Sequence, residues 1–455
     1  MTQVIEDKNV HLSNFSRFAT QEGAGQPWLE KLRREAIARF NQVGFPTRKV
    51  EAWRFTNIDP IIRTPFLLGD LEGPDDGSAA VKKYTFGREA SVELVFVNGR
   101  YVSALSRHGK LPRGAKVSSF AAALESEAET IERHLGKYAA IESNPFVALN
   151  TGFVGDGAFI HLPKGSVVEL PIHLIFVSTA GAEPTVSHPR VLVVSEDNVE
   201  ATIVESYVGS GEGVYFTNAV TEFVTGADCR IDHCKLHQES LSAYHIATMQ
   251  VDLGRASRFI SHAATIGGKL TRNDLNVKMN GERADATLNG LVIIGGDQHC
   301  DNHTLLHHEK AHCPSHELYK HVLSGKSTCV FKGQIFVQKD AQKTDSKQSS
   351  KSLLLSDDAY MNSQPALEIY ADDVKCTHGS TTGPVDEEAV FYLRSRGVSL
   401  EAARHLLTYA FAADITRRIR VAPVRRRLED FMAAQHGLPQ DLRITDLGSH
   451  DEKAR

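Results

Sequence analysis

The sequence predicts a mainly-β protein: a long β-solenoid flanked by a mixed, largely helical N-terminal region and a helical C-terminal domain. Short β-branched runs recur between about residues 154 and 385, separated by Gly, Asp and Asn turns. No amphipathic helix long enough for a crossover lies between them, which disfavours a doubly wound α/β fold. After Asp386 the apolar residues follow helical spacing instead.

The composition is that of an ordinary globular protein. The chain has 455 residues, 41% hydrophobic and 24% charged, and a net charge of -5, which gives no reason to expect a nucleic-acid partner. No apolar run approaches the ~20 residues of a membrane span. The start of the sequence carries no visible export or transit signal, so we expect a cytoplasmic protein. Its six cysteines are then expected to be thiols or metal ligands rather than disulfides.

The first region, residues 1–153, is predicted to be mixed. Pro27 is placed to start a helix whose apolar residues continue to Phe40. Val92–Val97 reads as a strand that enters a hairpin turn at Asn98-Gly99. A Gly-rich stretch near residues 70–78 indicates a loop, and residues 118–140 have helical character.

The second region, residues 154–385, contains the strand series. The clearest runs are Arg190–Ser195, Glu200–Val208, Val214–Val224, Cys229–Leu236, His245–Leu253, Ser257–Thr265, Ala286–Ile294 and Thr328–Val337. An all-β sandwich of ~230 residues is possible, but a single long series of short strands fits stacked solenoid rungs better. We interpret the polar run Lys339–Ser352 as exposed turns.

The third region, residues 386–438, is predicted to hold three helices. Asp386 can cap the first and Gly397 can end it. Ser399 can cap a second helix through about Arg420, and Pro423 separates it from a third. The second helix carries one apolar stripe: Leu400, Ala403, Leu407, Ala410, Phe411 and Ile415. Residues 439–455 form a polar tail.

Cys376 and His378 are the leading candidate metal ligands. They lie two apart in a strand-like run, so both side chains project from the same face. A thiolate beside an imidazole suits zinc or iron–sulfur chemistry, but two ligands do not close a site. The sequence therefore predicts half a metal site that a partner chain completes. The alternative is a buried thiol near a hydrogen-bonded histidine.

The histidine-rich segment 299–321 offers a rival interpretation. His308, Glu309 and His312 form an H-E-x-x-H string, which on a helix would bind zinc with the glutamate as general base of a metallohydrolase. Pro314 and the flanking strand-like sequence argue against a helix there. A structural zinc site is a second alternative, and the third is histidines on solvent-facing strand positions. The zinc site would draw on Cys300, His303, His312, Cys313 and His316.

No nucleotide-hydrolysis motif is complete. Gly325-Lys326-Ser327 ends like a phosphate-binding loop, but Lys320 stands where the first glycine is required. We therefore do not expect the chain to hydrolyse ATP.

Several long segments resemble one family, the SufB/SufD iron–sulfur cluster assembly proteins. They include IYADDVKCTHGSTTGPVDEEAVFYLRSRGVS with AARHLLTYAFAADI after it, DNHTLLHHEKAHCPSHELYKHVLSGKSTCVFKGQIFV, and LNTGFVGDGAFIHLPKGSVVELPIHLIF. The N-terminal segment GFPTRKVEAWRFTNI resembles the SufD branch of the family rather than SufB. The resemblance covers most of the chain, in the family's order.

The resemblance implies a right-handed parallel β-helix and a non-catalytic scaffold subunit. Such a subunit pairs with SufB through the β-helix and docks the SufC ATPase with its C-terminal helices, here through Arg404, Leu407 and Phe411. The family's interface histidine, implicated in iron acquisition or nascent cluster assembly, matches His378, and the nearby cysteine matches Cys376. Iron or a nascent cluster would be transient and shared with SufB. Flavin binding, and a homodimer in the absence of SufB, stay open.

Overall fold

The computed structural model describes residues 13–20, 25–69, 76–142 and 144–435. Part of the Gly-rich stretch, and the polar tail at 439–455, lie outside the described residues. No helix in these ranges is both long and apolar enough to cross a membrane.

A parallel β-solenoid of about eight turns forms the body of the molecule, as the sequence predicts. Its strands alternate between two facing sheets. The strands are β1 (Leu67–Leu68), β2 (Val92–Val97), β3 (Arg100–Tyr101), β4 (Arg107–His108), β5 (Lys116–Ser119), β6 (Ala158–Leu162), β7 (Ile172–Thr179), β8 (Thr185–Ser187), β9 (Arg190–Ser195), β10 (Glu200–Ser210), β11 (Tyr215–Thr225), β12 (Arg230–Gln238), β13 (Tyr244–Leu253), β14 (Arg258–Thr265), β15 (Leu270–Met279), β16 (Asp285–Ile294), β17 (His299–His308), β18 (Pro314–Leu323), β19 (Thr328–Val337), β20 (Asp345–Leu354), β21 (Tyr360–Ile369) and β22 (Lys375–Gly383). One sheet has the order β21-β19-β17-β15-β13-β11-β9-β6-β5, and the other has β22-β20-β18-β16-β14-β12-β10-β7-β2-β3.

Each rung stacks in register on the one before it. Tyr244 pairs with Leu270, Leu270 with His299, and His299 with Thr328. Because side chains alternate along a strand, every second residue points into the solenoid. The interior is apolar near β2, β7 and β9, where Leu94, Leu174 and Val193 are fully buried. Later strands add polar side chains to the interior, such as His308 in β17 and Ser346 in β20, beside apolar ones such as Phe331 in β19.

The N-terminal region closes one end of the solenoid. β2 joins the second sheet beside β7, and the predicted hairpin follows it, with positive φ at Asn98 (51°) and Gly99 (83°). The buried Glu222 of β11 anchors the N-terminal region to the solenoid, because its carboxylate accepts hydrogen bonds from the backbone N–H groups of Gly136, Tyr138 and Ala139. The helices here are α1 (Pro27–Val43), α2 (Asp59–Arg63), α3 (Ser78–Tyr84), α4 (Phe120–Ser126), α5 (Ala128–His134) and α6 (Pro145–Gly152).

Three C-terminal helices follow the last strand: α7 (Glu387–Ser395), α8 (Leu400–Thr416) and α9 (Ala422–Gln435). The predicted caps are confirmed, since Asp386 accepts from two backbone N–H groups of α7 and Ser399 accepts from one of α8. Helices α8 and α9 pack on the outer face of the second sheet through one apolar cluster. The predicted stripe is confirmed in part, since Ala403 and Ile415 are buried and Leu407 and Phe411 are partly buried. Leu400 and Ala410 are exposed instead, and Tyr409, Ala412 and Ala413 are buried.

The interpretation of Lys339–Ser352 as exposed turns is confirmed only for its first part, where residues 339–340 and 342–343 form turns, and is wrong for the rest. Its second half forms most of β20, in which Ser346, Gln348, Ser350 and Ser352 point inward and are buried. Rungs with a polar interior satisfy such side chains by hydrogen bonds between neighbouring strands, so burial here does not require an apolar sequence.

Candidate functional site

The last rung leaves the end of the solenoid open. β21 pairs only with β19 and β22 only with β20, and no further strand of the described chain covers their outer edges. The inward side chains of this rung therefore have the preceding rung on one side and no rung on the other. Tyr360 and Tyr370, at the two ends of β21, are 59% and 60% exposed.

Cys376 and His378 lie in this last rung. Both are in β22, and they pair in register with the buried, inward-facing Ser346 and Gln348 of β20. The structure thus confirms the strand and the shared face, while the metal-binding role stays a prediction. Cys376 is half-buried and His378 is exposed. Burial raises the pKa of the Cys376 thiol, so it needs a cation or metal nearby to become a thiolate at neutral pH.

Cys376 and His378 do not close a metal site by themselves. Within the described ranges, no third His, Cys, Asp or Glu donor joins them in a group compact enough for one ion. Any ion held by these two side chains would need further ligands from outside this rung. The open end is the direction from which such ligands can come.

A column of polar side chains, one from each rung, lies beneath His378. Gln348 occupies the next rung, and its Nε2 donates a hydrogen bond of 2.6 Å to Oε2 of Glu317 in the rung below. Burial raises the pKa of Glu317 to about 7, although the hydrogen bond from Gln348 acts in the opposite direction. Gly333 makes room for this column of side chains, since a Cβ at Gly333 would lie 2.0 Å from Gln348 Nε2.

A second column of polar side chains lies beneath Cys376. The Ser346 hydroxyl is 2.6 Å from that of Ser315, which in turn is 3.0 Å from His308 Nε2. Burial lowers the pKa of His308 to about 4, so the imidazole is neutral at physiological pH. Each candidate ligand therefore lies at the open end of the solenoid, above a column of hydrogen-bonded, buried polar side chains.

The metallohydrolase alternative loses the helix on which it depends. His308 is the last residue of β17 and points inward, whereas His312 is exposed in a turn with φ 62°. The structural zinc alternative also fails within the described chain, because its five residues form no compact ligand group. Cys300 and Cys313 are buried, whereas His316 is exposed on the outer face of β18.

The structure places the three predicted docking residues differently from one another. Arg404 is exposed and pairs with Glu387 of α7 at 2.9 Å. Leu407 is partly buried between α7 and α8. Phe411 packs against the solenoid, where Lys320 Nζ lies 4.5 Å from its ring centroid.

The exposed apolar surface of the C-terminal helices lies mainly on α7, which the sequence did not single out. Phe391 is 73% exposed and Tyr392 is 56% exposed. These two adjacent side chains form a candidate partner surface. The sequence did not show it because Phe391 and Tyr392 stand in one apolar run with the buried Val390, so nothing in the run marks these two as exposed.

A buried group of His237, Glu239 and His245 was also missed by the sequence reasoning. Its only sequence signal is weak: His233, Lys235 and His237 follow the two-residue period of one strand face.

Comparisons with known proteins identify the relatives of this chain. The model of the SUF system FeS cluster assembly SufBD core domain matches residues 176–411, and that of the SufBD protein N-terminal region matches residues 16–174. The iron–sulfur cluster assembly protein SufD of Escherichia coli is 32% identical over 83% of this chain and 86% of its own length. A SufBD family protein of Synechocystis is 29% identical over 96% and 98%, and SufD of Bacillus subtilis 26% over 88% and 92%.

Proposed function

The chain belongs to the SufBD family of iron–sulfur cluster assembly proteins, and we propose that it is a non-catalytic scaffold subunit that pairs with SufB and docks the SufC ATPase. One observation carries the proposal: the solenoid ends in an uncovered rung that presents Cys376 and His378. Residues 154–385 serve as the scaffold and residues 386–438 as the docking domain. The complex works in the cytoplasm, where the six free cysteines stay reduced.

SufB pairs with this chain at the open end. The outer edges of β21 and β22 present backbone N–H and C=O groups that can hydrogen-bond to strands of another solenoid. The exposed rings of Tyr360 and Tyr370 beside these edges add apolar area to the contact. A partner of the same architecture would extend both sheets at once.

Iron or a nascent cluster is the cargo of the seam between the two subunits. His378 is the leading ligand and Cys376 the second, and SufB supplies the remaining ligands. Two ligands from one chain cannot hold the cargo tightly, because iron and iron–sulfur centres take at least four donors. The cargo is therefore held only while both subunits are in place.

SufC docks on the C-terminal helices. Arg404 offers a charge, and Phe391 and Tyr392 offer an exposed apolar surface beside it. Leu407 and Phe411 hold α8 in position rather than contact SufC. Lys320 of β18 links this helix to the solenoid, because its Nζ donates to Phe411 O (2.9 Å) and pairs with Asp414 (2.8 Å).

SufC closure on ATP is transmitted to the seam through these helices. Coupling of this kind needs an element with two arrangements that both sites bias, and the SufB–SufD interface is that element. Opening or closing of the seam would expose or cover His378 for iron and sulfide. ATP hydrolysis itself resides in SufC.

The test is His378→Ala in the complex co-expressed with SufB and SufC. Cluster content should fall while both partners still co-purify, because an exposed side chain at the seam contributes little to folding. His316→Ala is the matched control, since it removes an exposed strand histidine away from the open end. Unchanged cluster content in His378→Ala would show that this role is wrong.

Docking is tested separately with Phe391→Asp. SufC should be lost from the purified complex while SufB remains, because a charge enters an apolar contact. Val167→Asp is the control, as Val167 is also exposed (54%) but lies near the start of the solenoid. Retention of SufC by Phe391→Asp would exclude α7 from the docking surface.

A further inference from the structure

Inside the solenoid, several rungs from the open end, lies a second group of ligand-type side chains. His237 is in β12, Glu239 follows that strand directly, and His245 is in β13. All three point into the interior and are at most 4% exposed. Nothing in the proposed role at the seam uses them.

The three side chains converge on one point. Oε2 of Glu239 lies 2.8 Å from Nε2 of His237 and 2.7 Å from Nδ1 of His245. One donor atom from each residue falls within 4.8 Å of the others. Two imidazoles and one carboxylate form a donor set that zinc and iron(II) both accept.

We propose that His237, Glu239 and His245 bind one divalent transition-metal ion, zinc or iron(II), inside the solenoid. The proposal goes beyond the scaffold function and does not depend on it. The ion enters beneath the turn at residues 240–242, where Leu241 is 66% exposed and leaves the site one short turn from solvent.

The surroundings orient the ligands. Thr217 Oγ1 donates to Oε1 of Glu239 at 2.6 Å, which leaves Oε2 to face the two imidazoles. Gly268, with φ +81°, gives the His237 ring its space, because a Cβ there would lie 2.8 Å from His237 Cε1. Nδ1 of His237 has no hydrogen-bond partner among the described residues, so nothing on the far side of this ring fixes its tautomer.

Lys235 lies on the far side of the His245 ring. Its Nζ is 3.0 Å from Nε2 of His245 and 2.8 Å from Oδ1 of Asn273. These contacts help to hold the ring with its Nδ1 turned toward Glu239.

The test titrates the full-length chain with zinc, and anaerobically with iron(II), against a competing chelator. The wild type should bind one equivalent, and Glu239→Gln should weaken binding more than ~100-fold, beyond the 10–100-fold typical of residues that only support ligands. Glu205→Gln is the matched control, because Glu205 is equally buried but contacts a single imidazole, His233, at 3.1 Å. It should bind like the wild type.

X-ray absorption of the loaded chain should show two imidazoles and only nitrogen and oxygen donors. His237→Gln, which can still hydrogen-bond to Glu239, should remove one imidazole from that signal even if Glu239→Gln does not fold. Absence of a stoichiometric ion in the wild type, or equal weakening by Glu239→Gln and Glu205→Gln, would overturn the proposal. His378→Ala should bind the ion unchanged, which separates this result from the test of the scaffold function.

Discussion

Glu317→Gln should make the protein more stable at alkaline pH and leave it nearly unchanged at acidic pH. The carboxyl is buried, and its pKa is raised from the ordinary 4.5 to about 7. Between these values the folded protein keeps a proton that the unfolded chain has released, so stability falls as the pH rises through this window. A difference of about 2.5 pKa units corresponds to a loss of roughly 3 kcal/mol, complete by about pH 8.

Glutamine has the shape of the protonated carboxyl and can still accept the hydrogen bond from Gln348, but it does not ionise. Urea unfolding of both proteins at pH 5 and pH 8 gives the difference in unfolding free energy at each pH. That difference should grow in favour of the variant by about 2.5 kcal/mol between the two conditions, because pH 5 already lies above the ordinary pKa of 4.5. Because other titrating groups are common to both proteins, they cancel. The same difference at both pH values would refute the reasoning about Glu317.

Three further changes test how the parts are held together. Arg190→Met should destabilise the protein by about 3–5 kcal/mol in urea unfolding, because it leaves the fully buried Glu222 carboxylate without its cation; adding Glu222→Gln should recover part of the loss. Ser399→Ala should cost about 1 kcal/mol through loss of a helix cap, seen as easier proteolysis of the C-terminal helices with no change in the solenoid. Gly290→Ala should cost about 1–3 kcal/mol, because the new Cβ would lie 2.1 Å from the Tyr319 ring, whereas an unchanged melting temperature would mean that the ring moves freely.

The apolar strands were predictable from sequence, whereas some polar ones, β20 among them, were not. Arg190–Ser195 and Thr328–Val337 match β9 and β19 at both ends, because β-branched alternation marks a strand wherever the interior is apolar. β20 was missed because its inward residues are Ser and Gln, which in a two-layer protein would face water. These side chains are buried because one rung stacks on the next. The sequence of a single strand does not reveal that stacking.

The candidate site was predictable in its local part only. The two-residue spacing of Cys376 and His378 fixes their shared face in any strand. Two other features depend on the register between segments some thirty residues apart. One is that this rung is the last, and the other is that Gln348 and Glu317 lie beneath His378. The group around Glu239 depends on two sheets meeting at a turn, which neither strand reveals alone.

The two ends of the solenoid differ, and the difference limits how large an assembly can grow. At the N-terminal end the sheets finish in short antiparallel strands, β3 and β5, which offer no continuation of the parallel ladder. A molecule that can bind a partner through only one end of its solenoid can form a closed pair but cannot polymerise head to tail. A long parallel ladder is a template for fibrils, and in the proposed pairing the antiparallel N-terminal strands of each subunit would stop growth after two molecules.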